Sequence, residues 1–409
     1  MRGINISKYF FLYITPLVYW GFYNYVGFSS TLTKLPCFIL TLLLIVLFNK
    51  DIFLKKYQKG SYSIYVKFYI ILVILSMLMA FLFWGQSLSQ SYRATSWNFV
   101  FLFYFVLLKY QPSAKEIFII VMIFSSIYIV LWIISLLNAP IPLFAGDDKE
   151  LNDSRGVFRI IINSYDIVCL GYFCCLSKIR NGRFNLFWMI VTFFFFVMVV
   201  LGLTRLIIAA SILITLVYLY IKMTWRGKVL SVLCALLFLL SFSSVFPFVA
   251  GKNDSGIASS MIELTDGQLD DISEDNSNWR IIEYKIGFWE YPRNIITYIL
   301  GSGIPHPESS YGKFEESLKK LKKFNRSDAG YPAILISFGL TGLTLIIAMF
   351  IKASRQKTLE EADPYKLFVI FIAIINVMQD AICSFGVAIA ISLYILEQDR
   401  IYKNNLKRI

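Results

Sequence analysis

The sequence predicts an all-α fold: a polytopic transmembrane helix bundle with about twelve spans and one large extracytoplasmic loop. Hydrophobic residues make up 57% of the 409 residues, and charged residues only 16%. A soluble domain would carry roughly 25% charged residues. Apolar runs alternate with short polar connections, and one connection is far longer than the others. The chain therefore divides into a first transmembrane part (1–250), the large loop (251–330) and a last transmembrane part (331–409).

Each apolar run is predicted to be helical, because backbone groups cannot stay unpaired in lipid and ~20 residues of helix cross the hydrocarbon core. The first run, residues 9–28, has no small-residue cleavage site after it and is predicted to be a retained signal anchor. The runs at 95–110 and 385–397 are short, so eleven spans remain an alternative to twelve. The other predicted spans are 31–48, 64–84, 117–138, 160–177, 184–203, 206–221, 229–250, 331–351 and 367–383.

Lysine and arginine residues concentrate in alternate short connections, which predicts that both termini are cytoplasmic. One such connection contains Lys55, Lys56 and Lys59, and a later one contains Arg355 and Lys357. The loop 251–330 is then outside. The net charge of +13 is mainly this bias, so no nucleic-acid partner is predicted.

Several motifs are absent from the sequence. The six cysteines all lie in apolar runs, which argues against a disulfide framework. No His/Cys cluster has metal-ligand spacing, so neither a metal nor another cofactor is predicted. Without a P-loop an ATP-driven pump is disfavoured, and without an internal repeat an inverted-repeat transporter is disfavoured.

The large loop contains half of the chain's 26 acidic residues, together with two segments of helical periodicity. The first, 278–290, is predicted to be a helix whose Trp-bearing apolar face suits a membrane interface. The second, 313–324, is predicted to carry two ion pairs at i,i+4 spacing. A breaker-rich turn at 301–307 separates them. The apolar positions are Trp279, Ile282, Ile286 and Trp289, then Phe314, Leu318, Leu321 and Phe324; the pairs are Glu315/Lys319 and Glu316/Lys320.

Some charges fall within or beside apolar runs, where an ionised side chain is costly and often functional. Arg205 lies between two apolar runs with almost no loop, so it either snorkels to the interface or faces a cavity and binds an anion. Asp166 and Asp380 are predicted to be intramembrane charges, in structural ion pairs or in catalysis. Arg155 and Arg159 precede the span of Asp166, and arginines suit a phosphate-bearing ligand.

These residues also carry a resemblance. Gly202-Leu-Thr-Arg205, the segment from Arg280 to Gly301-Ser-Gly303 with Trp289 and Pro292, and Asp328-Ala-Gly-Tyr331 followed by Gly339 and Gly342 resemble elements of the O-antigen polymerase and O-antigen ligase superfamily. The ligases carry a His-Asn pair at the loop exit. This chain has Asp328-Ala329 there, which favours a polymerase.

The resemblance implies a glycosyltransferase of a bacterial cytoplasmic (inner) membrane. It would polymerise lipid-linked oligosaccharide repeat units of an O-antigen or related surface polysaccharide, by glycosyl transfer from a polyprenyl-diphosphate donor. The substrate, the lipid bilayer and a chain-length regulator protein are the implied partners. Cations must neutralise the diphosphate leaving group, and a base must accept the hydroxyl proton of the acceptor. The candidates are Arg205, Arg280, Arg155, Arg159 and Tyr331 for substrate binding, and Asp328 followed by Glu283 for catalysis.

Two other functions remain open. The first is the sister ligase, which would join the glycan to another lipid. The second is a transporter or flippase for lipid-linked sugars or small anions, which should show broken helices or repeats and short loops. Asp328 also has a structural alternative, because an aspartate just before a helix is able to cap its first turn.

Overall fold

The described part of the chain is helical and contains no β-strand. A computed structural model describes residues 6–26, 30–139, 141, 143–144, 160, 162–179, 186–202, 204–222, 279–291, 294–322 and 324–406. The predicted span 229–250 and the acidic first part of the large loop, 251–278, lie outside the described residues.

Most of the α-helices follow the apolar runs, but the predicted span 367–383 is helical only to Ile375 and is interrupted by the turn 376–380. The α-helices are α1 (Ile6–Trp20), α2 (Ser30–Asn49), α3 (Tyr62–Trp84), α4 (Leu88–Thr95), α5 (Leu102–Tyr110), α6 (Ala114–Leu137), α7 (Tyr165–Leu176), α8 (Leu186–Leu201), α9 (Arg205–Lys222), α10 (Trp279–Lys285), α11 (Ile295–Leu300), α12 (Ser310–Lys322), α13 (Gly330–Arg355), α14 (Asp363–Ile375), α15 (Ala381–Ser384) and α16 (Gly386–Leu406).

Among the described residues, 4 helices are long and apolar enough to cross a membrane. Three further apolar helices are shorter. The chain is thus a helical membrane protein, and the number of about twelve spans stays a prediction. The long helices are Thr33–Leu54, Tyr62–Trp84, Ala114–Leu137 and Gly330–Arg355; the shorter ones are Tyr9–Trp20, Leu186–Leu201 and Arg205–Ile221.

The two runs that looked short have different explanations. Residues 95–110 contain a 3₁₀ turn, Ser96–Phe101, that continues into α5, and every side chain from Phe99 to Leu107 is buried. Irregular backbone is tolerated at membrane depth where protein surrounds it. The run 385–397 is longer than predicted, because α16 continues to Leu406.

The continuation of α16 is possible because its buried carboxylates are fully engaged. Glu397 accepts hydrogen bonds from the Tyr62 backbone N–H at 2.8 Å and from Arg400 Nη2 at 2.6 Å. Asp399 accepts from the Leu359 backbone N–H at 3.0 Å. A buried charge is tolerable only when paired and hydrogen-bonded in this way. This cluster ties α16 to the start of α3 and to the segment after α13.

The helix bundle has two ends, which the ends of α3 mark. Tyr62, where α3 begins, lies near the C-terminal parts of α13 and α16. Trp84, where α3 finishes, stacks on Tyr311 of α12. We call the end at Trp84 the loop end of the bundle and the end at Tyr62 the opposite end. Apolar side chains such as Val46 and Leu82 stay largely exposed on the flanks, which suits a lipid-facing surface.

Candidate functional site

The described part of the large loop packs onto the loop end through an aromatic core. The rings of Trp84 and Tyr311 stack with centroids 4.1 Å apart, and Phe314 lies 4.9 Å from Trp84. Tyr291 contacts Phe324 at 5.9 Å, and both are buried. The described residues between 279 and 328 are therefore anchored by burial of their large side chains, as the periodicity of 313–324 predicted in part.

The predicted helix 278–290 is α10 followed by a π-helical turn, Ile286–Glu290. The wider turn rotates the face, so Ile286 is buried whereas Trp289 is 76% exposed. Glu283 is fully buried. The exposed Trp289 suits the predicted contact with a membrane interface.

The second predicted helix begins earlier and ends earlier, as α12. Phe314 and Leu318 pack against the aromatic core, but Leu321 is 82% exposed. The Glu316–Lys320 pair forms at 2.7 Å. The predicted Glu315–Lys319 pair is wrong, because the Glu315 carboxylate faces inward and binds Arg326.

The predicted turn 301–307 enters the bundle rather than lying on its surface. The Ser302 N–H donates to the Ile336 carbonyl at 2.7 Å, and the Gly303 N–H donates to the Ser337 carbonyl at 3.2 Å. Gly301 and Gly303 have φ angles of +89° and +82°, which glycine adopts without strain. A Cβ at Gly303 would lie 2.4 Å from the carbonyl oxygen of Ser76 in α3. The turn is thus wedged between α3 and α13.

Helix α13 is broken where this wedge meets it. Gly339 has φ +68° and ψ −173°, outside helical values. A Cβ there would lie 2.2 Å from the Ile299 carbonyl oxygen, so only glycine fits without displacement. The break frees carbonyls of α13, and the 302 and 303 amides bind two of them.

The exit of the loop, residues 325–328, is fixed from two sides. Glu283 Oε1 accepts a hydrogen bond from the Asn325 backbone N–H at 3.1 Å. The Asp380 backbone N–H donates to the Ser327 carbonyl at 3.0 Å. Asp380 was predicted inside a span, but it lies in the turn 376–380 between α14 and α15, at the loop end.

Arg326 is the central cation of this exit. Its Nε donates to Glu315 Oε1 at 2.9 Å and its Nη1 donates to Ser337 Oγ at 2.9 Å, with 19% of the side chain exposed. Burial would lower the pKa of the guanidinium, but the charges of Glu315 and Asp380 outweigh burial and raise that pKa. Burial also raises the pKa of the Asp380 carboxyl, and the Arg326 charge opposes this shift.

Asp328 lies half-buried at the end of a short 3₁₀ turn, Arg326–Asp328, and its Oδ1 accepts from Ser327 Oγ at 3.2 Å. The alternative role of Asp328 as an N-cap is wrong, because α13 begins at Gly330 and Ala329 occupies the capping position. Tyr331, a predicted substrate-binding residue, donates its hydroxyl to the Ala373 carbonyl at 2.7 Å. That bond ties α13 to α14.

The predicted arginines are only partly described. Arg205 begins α9, three residues after Gly202, where a Cβ would lie 2.5 Å from the Tyr165 hydroxyl. Asp166, which follows Tyr165, accepts from the Ala388 N–H near the start of α16, so Arg205 lies toward the loop end. Arg280 lies in α10, but its side chain is outside the described residues, as are Arg155 and Arg159 entirely. Asp166 is buried; its Oδ2 accepts from Trp20 Nε1 at 3.1 Å and from the Ala388 N–H at 3.3 Å.

The single histidine lies on the other side of the wedge. The backbone N–H of His306 donates to Gln86 Oε1 at 2.8 Å, and the buried Gln86 also donates to the Ile304 carbonyl at 3.0 Å. Burial lowers the pKa of His306, with the nearby charges of Lys34 and Arg93 adding to the effect against that of Glu308. The imidazole also fixes the turn, because its Nδ1 accepts from the Glu308 backbone N–H at 3.3 Å.

No protein-family model matches this chain, and no curated protein matches it at a significant level of similarity. Among the predicted site residues, the structure brings Asp328 and Glu283 together at the loop exit. Arg326 and Asp380 were not predicted for the site. Arg326 stands two residues before Asp328, so its position at a predicted loop exit was a usable signal. Asp380 was singled out only as a charge in an apolar run, and the sequence did not place it at the exit, because the turn 376–380 brings it there.

Proposed function

We propose that this protein is a glycosyltransferase that polymerises lipid-linked oligosaccharide repeat units on the outer side of a bacterial cytoplasmic membrane. The fixed loop exit carries the proposal. It presents the half-buried carboxylate of Asp328 beside the largely buried guanidinium of Arg326, at one end of a helical membrane protein. Lys55, Lys357 and Lys403 lie at the opposite end, which favours that end as the cytoplasmic one.

The proposed reaction joins two lipid-linked chains. A hydroxyl oxygen of the acceptor sugar bonds to the anomeric carbon of the donor, and the bond from that carbon to the phosphate oxygen breaks. The polyprenyl diphosphate leaves with the bonding electron pair, and the hydroxyl proton passes to the Asp328 carboxylate. Glu283 holds the exit in place through its bond to the Asn325 N–H.

Arginines are the proposed partners of the diphosphate, because a planar guanidinium binds phosphate oxygens bidentately. Arg205 and Arg280 are the candidates, with Arg155 and Arg159 as further ones. Each bidentate contact contributes about 1.5–3 kcal/mol as charged hydrogen bonds, or roughly 10- to 150-fold in rate. Arg205→Ala and Arg280→Ala should shorten the polysaccharide chains of complemented cells. Lysine at either position should restore only part of the activity, because it lacks the planar fork.

A transporter of lipid-linked sugars is the second candidate, favoured by the break of α13 at Gly339 and the wedged turn 301–303. Broken helices at membrane depth are a feature of transporters. The two functions differ in one respect that is easy to measure. An enzyme joins its substrates in detergent micelles, whereas transport needs two compartments.

The test uses purified protein in micelles with lipid-linked repeat units extracted from cells that lack this gene. We expect longer oligosaccharides with the wild type and none with Asp328→Asn, which removes the base and preserves the shape of the side chain. If the folded wild-type protein does not lengthen the oligosaccharides, the polymerase is refuted. Full activity of Asp328→Asn would refute its role as the base.

A further inference from the structure

The turn 376–380 holds a buried donor and a buried acceptor that no described residue satisfies. Asn376 is fully buried; its Oδ1 accepts from the Ala381 backbone N–H at 3.1 Å, whereas its Nδ2 has no hydrogen-bond partner. Asp380 Oδ1 is likewise buried without a hydrogen-bond partner, while Cys383 and the charge of Arg326 act on the same carboxyl group. Buried polar groups in native proteins are nearly always hydrogen-bonded, so both atoms point to a group that the polypeptide does not supply.

The two side chains meet at one peptide group, the one between Asp380 and Ala381. Ala381, whose N–H binds the Asn376 carboxamide, directly follows Asp380. Tyr284 donates its hydroxyl to the Val377 carbonyl, and the Asp380 N–H donates to Ser327 at 3.0 Å, so the turn is held from two directions. The pair is therefore preorganised next to the loop exit.

The close packing of Gly330 joins this turn to the exit. A Cβ on Gly330 would lie 1.9 Å from the Asn376 carbonyl oxygen and 2.4 Å from that of Gln379. Gly330 is two residues from Asp328, so Asn376 and Asp380 belong to the same end of α13 as the proposed base. Val377 and Met378, at the tip of the turn, are 40% and 44% exposed apolar residues, which suits a ligand that arrives from lipid.

The chemistry of the missing group follows from the two atoms. An amide NH₂ requires an acceptor, and a carboxylate oxygen requires a donor. A hydroxyl is a small neutral group that does both at once. A phosphate would be repelled by the Asp380 carboxylate, and no cluster of potential metal ligands occurs among the described residues.

We propose that Asn376 and Asp380 form a subsite that binds one hydroxyl of a saccharide. Asn376 Nδ2 donates to the hydroxyl oxygen, and Asp380 Oδ1 accepts a hydrogen bond from the hydroxyl. The choice of a saccharide rests on the proposed function. The subsite adds the recognition of a sugar hydroxyl to the exit at which Asp328 lies. It gives the site a contact that orients a neutral sugar before any charge develops.

The test exchanges the donor and the acceptor. Asn376→Asp leaves two acceptors, and Asp380→Asn leaves two donors, so neither single variant complements a hydroxyl. The double variant Asn376→Asp/Asp380→Asn restores one of each, with the total charge unchanged and with an oxygen retained for the Ala381 N–H. Gln379→Ala, on the same turn, is the matched control.

Binding is measured by saturation-transfer NMR on the full-length protein in lipid nanodiscs. The probes are the methyl glycosides of glucose, galactose and N-acetylglucosamine. We expect at least one glycoside to bind the wild type and the Gln379→Ala control. Each single variant should weaken that binding by about 5- to 150-fold, the range for a buried polar group left unpaired. The double variant should recover most of it.

Two results would overturn the subsite. One is the absence of glycoside binding by the folded wild type, and the other is equal binding by the wild type and both single variants; either would assign the two atoms to an ordered water. Recovery in the double variant separates loss of recognition from loss of folding. Loss of binding in the single variants without shorter polysaccharide in cells would preserve the subsite and exclude it from the proposed reaction, which the wild-type assay in micelles tests separately.

Discussion

The ion pair of Arg326 and Glu315 should stabilise the loop segment far more than the neighbouring pair of Lys320 and Glu316. The side chains of the first pair are 19% and 22% exposed, with the atoms 2.9 Å apart. Those of the second are 74% and 58% exposed at 2.7 Å. Loss of a charged hydrogen bond in a largely buried pair costs about 2 kcal/mol. An exposed i,i+4 pair contributes only about 0.3–0.5 kcal/mol.

Glu315→Gln and Glu316→Gln make the comparison, because the two residues are adjacent in α12 and change in the same way. Hydrogen exchange followed by mass spectrometry reports the opening of residues 310–328. We expect exchange to accelerate about 30-fold in Glu315→Gln, and only about twofold in Glu316→Gln, since 1.4 kcal/mol corresponds to a factor of ten. Equal exchange in the two variants would refute the argument from burial.

Three further predictions concern the wedge, the histidine and the topology. Denaturation in detergent should show that Gly339→Ala unfolds more readily than Gly60→Ala. Both glycines have a positive φ, which costs roughly 1–2 kcal/mol for alanine. Only at Gly339 would the added Cβ meet a carbonyl oxygen, 2.2 Å away. The lowered pKa of His306 means that the folded state binds fewer protons, so the segment 301–312 should lose protection as the pH falls below about 6.5. His306→Gln should flatten this dependence, and an unchanged pH profile in that variant would contradict the assignment. In a cysteine-free variant, a single cysteine at position 255 should react with an impermeant maleimide in intact cells, and one at position 357 should not. Labelling at 357 would contradict the predicted topology.

The loop helices show how far the sequence pattern reaches. Helical spacing identified α10 and α12, because buried large side chains recur at that spacing on a packed helix. It did not foresee the π-helical turn at Ile286–Glu290, which exposes Trp289, or the inward turn of Glu315 toward Arg326. Local periodicity contains no information about a partner that arrives from another segment.

The sequence by itself determined that this is a helical membrane protein with a large polar segment before its last helices, because hydropathy and helical spacing are local properties. Only the tertiary structure decided which charges meet. Asp380 reaches the loop exit because the turn 376–380 packs against Gly330, and the turn 301–303 enters the bundle because α13 breaks at Gly339. Both depend on backbone contacts between residues far apart in the chain, and a single sequence leaves such contacts unspecified.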